Sequence, residues 1–194
     1  MEYIVIEDLC KSYGTHEVLR NFSAKIPVGR ITALKAPSGK GKTTLIRILM
    51  GLERADSGRI LGMEGLRISA VFQEDRLCEN LSVYANLRLV SDRSEEEIRS
   101  ALHALSLSHS VRQKAAELSG GMKRRVAILR ALLADYDMLF LDEPLSGLDK
   151  ELKDRVIACI LEQTKGKTLL LITHNEEEER AFRVVHRIRL EEVL

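Results

Sequence analysis

The ten residues "KAPSGKGKTT", Lys35 to Thr44, hold the densest chemistry in the chain. Gly39 and Gly41 allow the backbone to approach a phosphate closely, with bare N–H groups and a following helix N-terminus aimed at it. In such a loop Lys42 reaches the β- and γ-phosphates and Thr43 offers its hydroxyl to Mg2+. Ala36 stands where the pattern G-x-x-x-x-G-K-[ST] begins with glycine. At a strand end with negative φ the extra methyl is a small burden, so phosphate binding is still expected. A glycine turn with chance lysines is the bland alternative.

Two further runs carry chemistry. "MLFLDEP", residues 138–144, is an apolar strand ending in two carboxylates. Asp142 suits a Mg2+ partner, usually through water, and Glu143 is placed to polarise a water attacking a γ-phosphate. Alone, such a strand end is as readily structural; after a phosphate loop the catalytic reading dominates. "LSGGM", residues 118–122, puts the Ser119 hydroxyl and the bare amides of Gly120 and Gly121 before a helix, which makes a second anion site. A plain N-cap turn would use the same residue types.

These runs need positioning elements. "YIVIEDL", "HEVLRNFSAKI" and "RITALKA" read as strands, and "KTTLIRILMGL" as a helix with Leu45, Ile48, Leu49 and Leu52 on one face. From about Asn80 to Glu117 helices take over, with Ser94 and Glu97 spaced as a capping box. Short buried strands "DMLFLDEP" and "TLLLITHN" flank the helix "KELKDRVIACILEQT". Strands alternating with helices predict a mostly parallel sheet covered on both faces. The run "KRR" at 123–125 reads as a solvated helix face. "EEEE" at 176–179 opens a helix, where acids complement the dipole, and is assigned no chemistry.

The 194 residues suit one domain, and 30 basic against 29 acidic residues leave a net charge of +1, so no nucleic-acid partner is expected. Cys10, Cys78 and Cys159 lie far apart, which speaks against a disulfide framework or zinc site. "MEYIVIEDLC" lacks a basic n-region, so no secretory signal is expected, and no apolar run could span a bilayer. With 20 residues after His174, no C-terminal regulatory domain is expected either.

Together the motifs resemble the nucleotide-binding subunits of ABC transporters, over nearly the whole chain. "APSGKGKTT" resembles the Walker A loop, "MLFLDE" Walker B with its catalytic glutamate, "LSGGM" the signature with Met122 for the usual glutamine, and "SGLD" (146–149) the D-loop. Gln73 in "VFQED" matches the Q-loop, His174 in "ITHN" the switch histidine, and Tyr13 in "KSYG" the aromatic that stacks on adenine. Taken singly, Tyr13 could be packing and His174 a strand-end histidine bonded to backbone.

The resemblance implies an α/β P-loop NTPase core with a mostly parallel sheet, a small N-terminal antiparallel β region and a helical subdomain. It divides one ATPase domain, 1–194, into a core of 1–78 and 118–194 and a helical subdomain of about 79–117. It implies that Tyr13, Ser38, Gly39, Lys40, Gly41, Lys42, Thr43 and Thr44 bind ATP, joined by Ser119, Gly120 and Gly121 of a second chain in a head-to-tail dimer. Thr43, Gln73 and Asp142 would serve Mg2+, and Lys42, Gln73, Glu143 and His174 catalysis.

Its partners would be integral membrane permease subunits, a second ATP-binding subunit and, for an importer, indirectly a solute-binding protein. The location would be the cytoplasmic face of the cell membrane. "VFQEDRLCENLSVYANL" resembles importers of the nitrate, sulfonate and taurine type, which favours import. The rival is a soluble ABC-type ATPase not coupled to transport, as in iron–sulfur assembly. A plain P-loop kinase would leave "LSGGM" and "SGLD" unexplained.

Overall fold

The computed structural model describes residues 2–37 and 41–190. Strands β1 (Tyr3–Tyr13) and β2 (His16–Pro27) pair antiparallel and bury Ile4, Ile6, Leu19 and Ile26. After β3 (Ile31–Lys35) and helix α1 (Lys42–Leu49), β4 (Ser57–Leu61) returns to β1, giving a small antiparallel sheet of order β2-β1-β4. Then follow β5 (Ile68–Val71), α2 (Val83–Arg88), α3 (Glu95–Ala104) and α4 (Gly120–Leu133). The chain closes with β6 (Met138–Asp142), α5 (Lys150–Gln163), β7 (Thr168–Ile172), α6 (Glu176–Ala181) and β8 (His186–Arg189).

Five strands make a parallel sheet of order β5-β6-β7-β3-β8. Period-two alternation sorts its central strands between two cores. Leu139, Leu141, Leu169 and Leu171 face one core with Val126, Leu129 and Leu132 of α4 and Val156 and Ile160 of α5. Met138, Phe140, Leu170 and Ile172 face the other, with Leu45, Ile46 and Leu49 of α1 and the inner side of β1. Burial on both faces explains why β6 and β7 read as continuous apolar runs.

Local signals set the helix starts. Ser94 accepts from the Glu97 amide while the Glu97 carboxylate accepts from the Ser94 amide, so the expected capping box is present. Ser119 caps α4 through the Met122 amide, and Asp149 caps α5 through the Leu152 amide.

The structure departs from the sequence reading at two places. Leu52 lies beyond the end of α1 and is exposed rather than on its apolar face. The reason is Gly51, whose φ of 69° stops the helix; the Gly51 and Leu52 amides donate back to Ile48 and Arg47 carbonyls at 2.9 and 2.8 Å. The "KRR" run is not a solvated face either: Arg124 and Arg125 are buried. Helix α4 is enclosed between β5 and helices α2, α3 and α5, so each guanidinium must find carbonyl oxygens inside. Arg125 donates to the Leu105 carbonyl at 2.6 Å, and Arg124 to the Phe72 carbonyl, also at 2.6 Å.

Candidate functional site

Parallel strands end on the same edge of a sheet, and the loops beyond those ends make a crevice where strand order reverses. Here β3 is followed by the glycine loop, β5 by Gln73, β6 by Glu143 and β7 by His174. The four meet around a cavity of about 610 Å³ lined by His16, Val18, Gly41, Lys42, Thr43, Thr44, Gln73, Asp142, Glu143 and His174. That volume suits a nucleotide-sized ligand.

Gly41 occupies the cap position of α1 with φ 80°. A Cβ there would stand 2.8 Å from Val18 Cγ1, so packing and backbone both require glycine. Ala36 is buried, and its backbone lies outside the left-handed region, so the residue that replaces the pattern's first glycine carries no conformational penalty. Lys42 curls back into the loop, its Nζ donating to the Ala36 carbonyl at 2.7 Å and the Pro37 carbonyl at 3.3 Å. The same Nζ lies 3.2 Å from His174 Nε2, which in turn stands 3.5 Å from Glu143 Oε1. That ring nitrogen can accept from Lys42 or donate toward Glu143 but not both, so the imidazole tautomer chooses between ammonium and carboxylate.

Asp142 is buried at the end of β6. Burial first, then the neighbouring Glu143 charge, pushes its carboxyl pKa up; Lys42, Arg124 and His174 pull it down. Glu143 holds φ 49°, a left-handed conformation rarely adopted by a residue with a Cβ, and its amide donates to the Ile172 carbonyl of β7 at 2.9 Å. Such backbone strain costs on the order of 1–3 kcal/mol and gathers at functional sites.

The acids of α6, assigned no chemistry from sequence, support the site from behind. Glu178 accepts the Thr173 hydroxyl at 2.6 Å and pairs with Lys153 at 2.9 Å, which fixes the residue before His174. Glu179 is buried between Lys35 and Arg187, both at 2.8 Å. Lys35 ends the strand that feeds the phosphate loop, so one short helix braces both loops that carry charge into the cavity.

Other expected site residues lie elsewhere. Ser38, Gly39 and Lys40 fall outside the described residues. Tyr13 is exposed at the end of β1 with the Lys11 ammonium 5.2 Å from its ring centroid. Its cross-strand partner is His16, which lines the cavity. Ser119 and Gly120 are exposed at the start of α4, with open space around Gly120, and neither lines the cavity. His16 and Val18 were missed by sequence reasoning; the signal available was their place on the strand that pairs with Tyr13.

A family model described as ABC transporter matches residues 19–146, more than half of the chain. The chain belongs to the ABC transporter family. That range contains Lys42, Gln73, Ser119, Asp142 and Glu143, with Tyr13 before it and His174 after it. The sulfate/thiosulfate import ATP-binding protein of Chromobacterium violaceum is 37% identical, over 96% of this chain and 58% of its own length. The spermidine/putrescine import ATP-binding protein of Treponema pallidum is 35% identical, over 90% of this chain and 51% of its own.

The chain thus spans little more than half the length of these ABC relatives. Among solved structures, an ATP binding subunit of an ABC transporter superposes with a TM-score of 0.86 at 26% identity, covering 97% of this chain and 86% of that one. A bacterial Atm1-family ABC exporter with ATP bound shares the fold at a TM-score of 0.87 and 22% identity, covering 98% of this chain and 37% of that one.

Proposed function

We propose that this chain binds and hydrolyses Mg-ATP and thereby powers passage of a solute, inward, through a separate integral membrane permease. The observation that carries the reading is the convergence of four strand ends on one cavity, bringing Lys42, Thr43, Gln73, Asp142, Glu143 and His174 together. No simpler phosphate-binding role calls for a strained Glu143 beside a histidine and a buried aspartate.

The donor set fits Mg2+. Hydroxyl, amide and carboxylate oxygens from Thr43, Gln73 and Asp142 suit a hard cation, which keeps waters and phosphate oxygens as its other ligands. Burial first, with the Glu143 charge beside it, raises the Asp142 pKa, and a bound cation would offset that cost. Bound there, Mg2+ would neutralise charge on the β- and γ-phosphates.

The chain's own groups do the rest. Lys42 turns its ammonium from the Ala36 carbonyl to phosphate oxygens, and the Gly41, Lys42 and Thr43 amides at the α1 N-terminus surround the anion. Glu143 accepts a hydrogen bond from the attacking water and orients it, while His174 faces the terminal phosphate. Ser119 and Gly120, exposed and outside the cavity lining, act with Gly121 on the nucleotide of a second ATP-binding subunit in a head-to-tail dimer. One chain then carries two anion sites because each ATP uses one from each chain.

Among the described residues no helix is long and apolar enough to cross a membrane. Family membership supports the reading that the chain works as a peripheral subunit at the cytoplasmic face of the cell membrane, held by permease subunits and meeting any solute-binding protein indirectly. The import names of the relatives favour transport over a soluble ATPase role. Their sulfate and polyamine solutes leave the nitrate, sulfonate and taurine likeness as a resemblance only. Copurification with a coexpressed neighbouring permease checks the transport part; a chain that never associates with one counts against it.

Calorimetry checks the site itself. Mg-ATP is expected to bind with a micromolar to millimolar Kd, roughly −8 to −4 kcal/mol, with most of the affinity lost in Lys42→Ala. No heat from the wild type, and no displacement of labelled ATP, would overturn the reading.

A further inference from the structure

Arg124 was expected to point into solvent, yet its side chain is 8% exposed. Nη1 donates to the Phe72 carbonyl at 2.6 Å, Nη2 donates to the Gln73 carbonyl, and Nε lies 3.2 Å from Asp75 Oδ1. All three contacts fall on one four-residue stretch directly after β5. Arg130, two turns further along α4, adds a donor to the Asp75 carbonyl at 3.3 Å. The Gln73 side chain, by contrast, is exposed and reaches the cavity that holds Asp142 and Glu143.

We propose that Arg124 is a positioning residue that clamps the backbone at Phe72 and Gln73 to helix α4, and so sets where the Gln73 amide stands in the cavity. The inference rests on the ATPase reading of that cavity. A planar guanidinium with several donors can hold two successive carbonyls and a carboxylate at once, which an ammonium cannot. The clamp is costly to break: without it two inward-facing carbonyls and a carboxylate that is already short of solvent lose their partner. The helix that carries Arg124 also carries Ser119, Gly120 and Gly121 at its N-terminus. A displacement of α4 on contact with a second subunit's nucleotide is therefore passed to the Gln73 backbone through Arg124.

The test compares wild type, Arg124→Gln, Arg124→Lys, Asp75→Asn, Gln73→Ala and the Arg124→Gln/Gln73→Ala double variant. Amide hydrogen exchange and Mg-ATP turnover are measured on each. In Arg124→Gln, exchange in peptides covering residues 72–77 is expected to quicken while the rest of α4 and β6 stay protected. Turnover is expected to fall roughly 10-fold, the scale of a supporting residue behind a metal site, with KM changed less than kcat. Arg124→Lys is not expected to restore it.

In the double variant the loss should equal that of the worse single variant, because both act through one amide. Losses that multiply, or unchanged exchange at 72–77 in Arg124→Gln, would overturn the clamp. If Arg124→Gln does not fold, Arg124→Lys and Asp75→Asn carry the exchange measurement, and unchanged exchange in both is the overturning result. A wild type without turnover would sink the ATPase reading, while the exchange measurement would still decide whether Arg124 fixes the 72–77 backbone.

Discussion

Asp142 is the residue at which function and stability oppose each other most directly. Its carboxylate is buried beside Glu143, and both effects hold its folded-state pKa above the ordinary value. A carboxyl raised in this way takes up its proton more readily when folded, so stability falls as pH rises through the window between its unfolded and folded pKa values. Asp142→Asn removes the buried charge. Thermal unfolding without nucleotide should then show a higher Tm than wild type at neutral pH, with the gap closing as pH drops below the folded pKa. Mg2+ and ATP should reverse the order, stabilising wild type more than the variant.

A lower Tm for Asp142→Asn at neutral pH would mean that the carboxylate has a compensating partner. Lys42, Thr43, Asp142 and Glu143 were legible in the sequence because their chemistry is packed into two short runs. His16 and Val18 were not. They reach the cavity through cross-strand placement, which no local pattern announces.

At the scale of elements, helix α6 carries more than its composition declared. Four glutamates at a helix start read as a dipole complement, and nothing in the run says which of them faces the sheet. The structure turns Glu179 inward between Lys35 and Arg187. Burial alone would raise its pKa; the two cations outweigh that and bring it below the usual value. Glu179→Gln should destabilise the fold by about 1.5–3 kcal/mol, toward the lower end because Lys35 and Arg187 keep part of their solvent.

The sign with pH is opposite to that of Asp142. A depressed acid contributes stability above its unfolded pKa and loses it as pH falls through the folded one, so the gap between wild type and Glu179→Gln should narrow in acid. Urea unfolding at several pH values measures this; an unchanged midpoint near neutral pH would show Glu179 to be idle. The "KRR" run misled for a related reason. A charge run predicts solvent exposure only if its helix has a free face, and α4 has none over Arg124 and Arg125. The capping box at Ser94, which depends only on Ser94 and Glu97 three positions apart, was legible in full.

For the whole molecule, the claim that matters is that one chain holds half of each ATP site. The cavity gathers Lys42, Asp142, Glu143 and His174, while exposed Ser119 and Gly120 and half-buried Gly121 stand at the start of α4, outside its lining. The order of motifs and the parallel sheet are silent on a second chain; our proposal of one rests on Ser119, Gly120 and Gly121 lying outside the cavity lining. Glu143→Gln keeps the shape of the side chain but loses the carboxylate proposed to orient water, so turnover should fall by about 100-fold, ~2.7 kcal/mol in the barrier. Removing that negative charge also eases ATP into a closed interface. Light scattering on Glu143→Gln with and without ATP is the most direct measurement: a monomer alone and a dimer with ATP is the expected result, and the dimer should vanish when Ser119→Arg is added. A protein that stays monomeric at saturating ATP, or a dimer indifferent to Ser119→Arg, would contradict the shared site.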